Sequence, residues 1–159
     1  MTPRAALDAN LLLLLVVGTL SSDWIISHKR LKQYDVAAYD LLMANIAGAD
    51  KILTTPNVLT EVSNMLDFGV FEPRRSELWQ GFAEFIISAA CEVYHPSSTA
   101  SGDVDFGRLG LSDCAWLGCM DAETVLFTDD LPLFLTATSR GLASVHFTRL
   151  RIEAGLLPE

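Results

Sequence analysis

Five acidic residues stand where carboxylates could act together. Asp8 follows the short apolar run Ala5-Ala6-Leu7, and Asp129 and Asp130 follow Thr124–Thr128. Asp113 opens a segment starting at Ser112, and Glu61 falls in the second turn after Thr55-Pro56. Carboxylates drawn together repel unless something positive sits between them. Hard divalent cations with oxygen ligands, Mg2+ or Mn2+, are the matching occupant. Two such ions could bridge a scissile phosphate, lower the pKa of a bound water and stabilise the leaving oxygen. In that chemistry the carboxylates are ligands first, and Asp113 or Asp130 also orients the attacking water. Each acid has an ordinary role beside this one. Asp8 and Asp130 suit helix N-caps, Asp113 complements a helix dipole, and Glu61 suits a solvated face.

For these acids to meet, distant segments must reach one edge. Short strand-like runs alternate with longer helical ones, the pattern of a parallel α/β sheet. In such sheets, ligands sit at the carboxyl ends of the strands. Ala5–Asp8 reads as a strand, and the leucine run from Asn10 as a buried helix. Asp35 caps a helix through Leu41, Leu42 and Ile46, stopped near Gly48. After a strand at Lys51–Thr54, Thr55 caps a helix with Pro56 at its first position and an apolar stripe of Val58, Leu59, Val62, Met65 and Leu66. Another helix runs from about Ser76 to Ala89, followed by a loop over 96–105 and a helix from Ser112. A strand at Thr124–Thr128, a helix at Leu131–Arg140 ended by Gly141, and a strand at Ala143–Phe147 complete the reading. If the first strand and Thr124–Thr128 are neighbours, four carboxylates converge.

With 159 residues, the chain is expected to be one domain spanning 1–159. Such a domain buries roughly 70% of its unfolded surface. Half the residues are apolar and mean hydropathy is +0.32, which excludes disorder. Eleven Lys and Arg against 20 Asp and Glu give a formal charge of −9. Duplex DNA or anionic lipid bound by charge alone is thereby excluded. Cys91, Cys114 and Cys119 read as buried thiols of a reducing compartment. The run Leu11–Val17 falls short of the ~20 residues of a membrane span, and Asp8 stands where a signal peptide would be positive. The expectation is a cytoplasmic protein with no membrane association.

Four segments carry a family resemblance in order: Leu7-Asp8-Ala9-Asn10-Leu11-Leu12, Thr55-Pro56-Asn57-Val58-Leu59-Thr60-Glu61-Val62, Gly110-Leu111-Ser112-Asp113-Cys114-Ala115 and Thr128-Asp129-Asp130-Leu131-Pro132-Leu133. The chain resembles the PIN-domain nuclease family. The resemblance implies a three-layer α/β/α sandwich with a central, mostly parallel sheet. It implies a metal-dependent endoribonuclease that hydrolyses RNA phosphodiesters with Mg2+ or Mn2+, and it points to the toxin half of a toxin–antitoxin pair. Asp8, Glu61 and Asp113 match the first three metal-binding acids. The Thr-x-Asp pattern selects Asp130 as the fourth, with Asp129 as the spare. Asn10 and Thr128 match positions that orient the carboxylates. An antitoxin protein and a homodimer are the partners implied. The helix bearing Phe82, Phe85 and Ile86 could serve as the dimer face, or equally as core. Two features depart from the family. Ala9 stands where Thr or Ser is usual, and the span from Asp8 to Glu61 is longer than in the compact toxins.

Substrate contacts are expected in the basic stretch around Trp24, Lys29 and Arg30, where the cations would hold phosphates and Trp24 would stack a base. The ordinary reading is a solvated helix end with Trp24 in the core. Arg74, Arg75, Arg149 and Arg151 read as surface residues or phosphate contacts. His95 and His146 read as satisfied by local hydrogen bonds, and Trp79 and Trp116 as core. A second expectation, motivated by Ala9 and the net acidity, is a PIN-like module that binds RNA or protein without cutting. A third, an acidic α/β phosphatase, lacks a Lys and a Ser/Thr motif placed near the acids.

Overall fold

The computed structural model describes residues 3–159. Along the chain lie β1 (Arg4–Leu7), α1 (Ala9–Leu20), α2 (Ser22–Ser27), α3 (Val36–Ile46), β2 (Ile52–Thr54), α4 (Pro56–Met65), α5 (Arg74–Ser88) and β3 (Ala90–Glu92). There follow α6 (Ser97–Ala100), α7 (Phe106–Leu109), α8 (Leu111–Cys119), β4 (Thr124–Thr128), α9 (Leu131–Ser139), β5 (Ser144–His146) and α10 (Phe147–Glu153). The five strands form one all-parallel sheet in the order β3-β2-β1-β4-β5, and helices cover both of its faces as a three-layer α/β/α sandwich. Met1 and Thr2, at the start of the expected 1–159 domain, lie outside the described residues.

The leucine run forms α1, apolar on every side and buried without a break from Leu11 to Gly18. A helix that is hydrophobic all round belongs inside. Helix α1 is accordingly wrapped by α2, α3, α4 and α5. Its one small residue admits a neighbour: the Tyr39 ring lies so close to Gly18 that a Cβ there would stand 2.3 Å from it. With only 12 residues, α1 is about 18 Å long. None of the described helices is long and apolar enough to cross a membrane.

Several elements depart from the sequence expectation. Edge strand β3 is two half-buried residues and an exposed one with no apolar alternation, so nothing local announces it. The 96–105 loop contains the short helix α6. The last strand ends at His146, and Phe147 starts α10 instead of extending the sheet. Phe82 belongs to the core, whereas Ile86 and Ile87 are exposed. Cys114 is buried as expected, but Cys91 and Cys119 are partly exposed. Trp116 is fully buried, and Trp79 is half-buried with its indole N–H donating to Asp67 at 3.0 Å. Arg151 is not at the surface; it is 5% exposed.

Candidate active site

The order of the strands reverses between β1 and β4, which makes their carboxyl ends the switch point of the sheet. Open α/β sheets place their ligands at such a crevice. Leu7 pairs with Phe127, so the residues that follow, Asp8 and Thr128, stand side by side. The Asp8 carboxylate is held from three directions. Its Oδ1 accepts the Leu11 N–H at 2.9 Å, capping α1. Its Oδ2 accepts the Thr128 hydroxyl at 2.6 Å and the Asp129 N–H at 2.9 Å. Thr128 thus orients a carboxylate as expected. Asn10 does not; it is exposed at the second position of α1, with no side-chain hydrogen bond among the described residues. Burial raises the Asp8 pKa against the pull of these hydrogen bonds.

Asp130 caps α9, its Oδ1 accepting the Leu133 N–H at 2.9 Å, while its own N–H is fixed by the Thr128 hydroxyl. The cap role and a role at the sheet edge are therefore compatible, since Oδ2 stays uncommitted. Asp113 sits at the third position of α8. The chain turns into that helix through Gly110, whose φ of 86° suits glycine. Glu61 is exposed on α4. Neither Glu61 nor Asp113 has a hydrogen-bonding partner for its carboxylate among the described residues. Burial and the charges of Asp130, Glu61 and Asp8 together push the Asp113 pKa up to about 7. The four sequence-selected acids therefore share one electrostatic neighbourhood. They are not in mutual contact: among the described residues no three His, Cys, Asp or Glu side chains are gathered closely enough to hold one ion. The donor set still suits Mg2+ or Mn2+, because it is all oxygen and like-charged. Mg2+ characteristically binds through one or two carboxylates and completes its octahedron with water.

Asp129 has a different task. Its Oδ2 accepts the Tyr34 hydroxyl at 2.6 Å, and its Oδ1 accepts the backbone N–H and hydroxyl of Thr148 at 2.6 and 2.8 Å. Asp129 therefore caps α10 from outside that helix. Tyr34 is held on its other side by Arg151, whose guanidinium lies 5.5 Å from the ring centre and donates to the Gln33 carbonyl at 3.0 Å. Burial first, and then the charge of Asp8, raise the Tyr34 pKa. Sequence reasoning missed Tyr34 and Thr148 and read Arg151 as a surface residue or phosphate contact, since only the tertiary fold brings Tyr34 and Thr148 to one carboxylate and Arg151 onto Tyr34.

A second device fixes Asp113 relative to Asp130. Arg140, at the end of α9, binds Asp103 through two hydrogen bonds of 2.9 and 2.7 Å and Asp105 at 2.7 Å. Arg108 joins Asp105 to Thr136 of α9. The segment leading into α8 is thereby tied to the helix that Asp130 starts. Arg140 holds the Asp103 carboxyl well below its usual range, at about 2.

The expected substrate contacts point elsewhere. Arg30 stacks on Phe68 at 4.4 Å and Arg74 on Trp24 at 4.7 Å, and the Lys29 stem lies against Gly69. Trp24 of α2 and Lys29 and Arg30, just after it, thus pack against the segment joining α4 to α5 and the start of α5. His95 and His146 make no side-chain hydrogen bond among the described residues, contrary to expectation. His146 packs edge-on against Phe134. In sequence comparisons, the chain matches no protein-family model and no curated protein.

Proposed function

We propose that this protein is a PIN-like, metal-dependent endoribonuclease whose centre is formed by Asp8, Glu61, Asp113 and Asp130. The observation that carries the reading is the gathering of these carboxylates around the switch point of the sheet, where Asp8 and Asp130 follow β1 and β4 and Asp113, partly buried, has its pKa raised by burial and by the other three charges. Burial and like charge both oppose ionisation of this carboxyl, and a bound cation is the natural means of ionising it. Mg2+ or Mn2+ bound there would supply Lewis acidity toward the phosphate and a more acidic water. Asp8, locked by Thr128 and two backbone N–H groups, is the rigid ligand. Asp130 offers Oδ2 while Oδ1 keeps α9 capped. Glu61 and Asp113, free of hydrogen bonds, can rotate to complete the set, and Asp113 would accept the proton of the attacking water. That water adds to phosphorus as one P–O ester bond breaks, leaving a phosphate monoester and a hydroxyl. Asp129 is outside the ligand set, being occupied with Tyr34 and Thr148.

The test is cleavage of tRNA, structured RNA and single-stranded DNA by purified protein with Mg2+, Mn2+ or EDTA, beside Asp113→Asn. Metal-dependent cutting of RNA lost in the variant is the expected result. Cutting unchanged by the substitution removes the reading. As a toxin it would co-purify with an antitoxin peptide that covers the acidic edge, and as a homodimer it would sediment at twice the chain mass. A second reading, a PIN-like module that binds without cutting, is favoured by Ala9 and by the separation of the carboxylates. Loss of Mn2+ binding together with retained RNA binding would select it.

A further inference from the structure

Between the first turns of α4 and α8 the surface opens into a groove of about 750 Å3, within the range of ligand sites. Glu61 and Ser112, the neighbour of Asp113, line it, so the groove adjoins the carboxylates. Its other wall is the segment leaving β3. There Tyr94 is 72% exposed, yet its ring is tethered, the hydroxyl donating to Glu92 at 2.5 Å. Next to it, the His95 imidazole lies flush on α8 at Gly118. A Cβ at Gly118 would stand 2.4 Å from Cε1 of that ring, so the placement depends on the glycine. Neither His95 nitrogen has a hydrogen-bond partner among the described residues. Among the described residues Glu61 is the one carboxylate lining the groove, while Glu92 stands beside it on the Tyr94 hydroxyl. An exposed, held aromatic face beside an uncommitted imidazole and neutral donors suits a nucleotide, since an aromatic platform stacks any base.

We propose that this groove is the strand-binding subsite: the base of an unpaired nucleotide stacks on Tyr94, and His95 donates a hydrogen bond to the backbone of that strand. The phosphodiester that follows is led to Glu61 and Asp113. The inference rests on the hydrolytic reading of the carboxylates and adds to it the residues of this chain that hold the strand. Stacking requires a free base face, which a duplex covers on both sides with neighbouring pairs.

Binding tests this without turnover. A fluorescently labelled eight-nucleotide RNA is titrated with protein in EDTA at physiological ionic strength, which screens the repulsion between two anions, single-stranded and as a duplex, with anisotropy as the readout. The single strand is expected to bind more tightly. Tyr94→Ala is expected to weaken it about 10-fold, within the range measured for loss of one base stack, and Tyr94→Phe to retain most of the affinity. His95→Ala, and Gly118→Ala which displaces the unaltered imidazole, are expected to weaken it in the same direction. Circular dichroism and Mn2+ affinity, both unmoved in Tyr94→Ala, separate a lost contact from a lost fold. Single-strand affinity indifferent to Tyr94 and His95, or equal affinity for the duplex, overturns the proposal even if the wild type cuts RNA. Tyr94-dependent binding by a protein that cuts nothing upholds the groove and removes the nuclease reading instead.

Discussion

At the scale of single residues, adjacent Asp129 and Asp130 have been given opposite work by the fold, and substitution separates them. Asp130→Asn keeps the α9 cap, because Asn caps as well as Asp. It is expected to leave Tm nearly unchanged while lowering Mn2+ affinity at least about 10-fold, as measured by calorimetric titration. Asp129→Ala removes the acceptor for Tyr34 and Thr148 and is expected to destabilise by about 2 kcal/mol. That corresponds to roughly 4–8 °C in Tm for a chain of this size, with Mn2+ affinity kept within a few-fold. Equal loss of Mn2+ affinity in both variants would return Asp129 to the ligand set. Asp113 provides a further prediction with a sign. Its folded pKa, about 7, lies above the ordinary 3.8, so the folded state binds the extra proton between those values. Stability then falls as pH rises through that window. In EDTA at pH 8, Asp113→Asn is expected to melt higher than wild type, while in Mn2+ its cleavage falls by at least about 100-fold, the scale of a site group worth several kcal/mol. A variant that melts lower at pH 8 would show that Asp113 stabilises the fold and is not held there against repulsion.

At the scale of elements, the Arg140 cluster does what no local signal announces, tying the lead-in of α8 to the end of α9. Arg140→Ala is expected to cost on the order of 1 kcal/mol, since the pair with Asp103 is bidentate but partly exposed. Its pH dependence has a definite direction. The Asp103 pKa is lowered from 3.8 to about 2, so the contribution is present above pH 4 and is lost as pH falls through 2. Denaturant melts across that range are expected to show the gap between wild type and Arg140→Ala closing at the acid end; a gap constant with pH would assign the loss to packing. What the sequence made legible follows the same division between local and distant. Thr124–Thr128 matches β4 residue for residue, and the Asp35 and Thr55 caps are as read, because each is decided by its own neighbours. The convergence of Asp8 with Asp130 was legible once β1 and β4 were taken as neighbours. Strand β3 was not legible, since three residues at a sheet edge carry no period, and α10 was not, since its capping carboxylate is 19 residues upstream. Arg151 reads as a surface cation until Tyr34 and Gln33 are seen to enclose it.

At the scale of the whole molecule, charge opposes the proposed substrate, and the proposed centre is what reconciles them. A chain of net charge −9 repels a polyanion at long range. Two divalent ions at the switch point would reduce that to about −5 and place positive charge where the scissile phosphate must sit. The consequence for stability is general, because a ligand that binds the folded state alone stabilises it by mass action. At a free Mn2+ concentration 100 times Kd the gain is about 2.7 kcal/mol, roughly 5–10 °C in Tm. Simple screening also relieves repulsion in an acidic protein, so NaCl alone is expected to raise Tm slightly. The two effects separate in form. Screening grows gradually with ionic strength and is the same in wild type and Asp113→Asn, whereas site binding saturates and needs the carboxylate. Differential scanning calorimetry over a Mn2+ series at fixed ionic strength is therefore expected to give a saturating rise in wild type and a much smaller one in Asp113→Asn. A rise equal in both proteins would assign the gain to surface charge and leave these acids with no metal to hold.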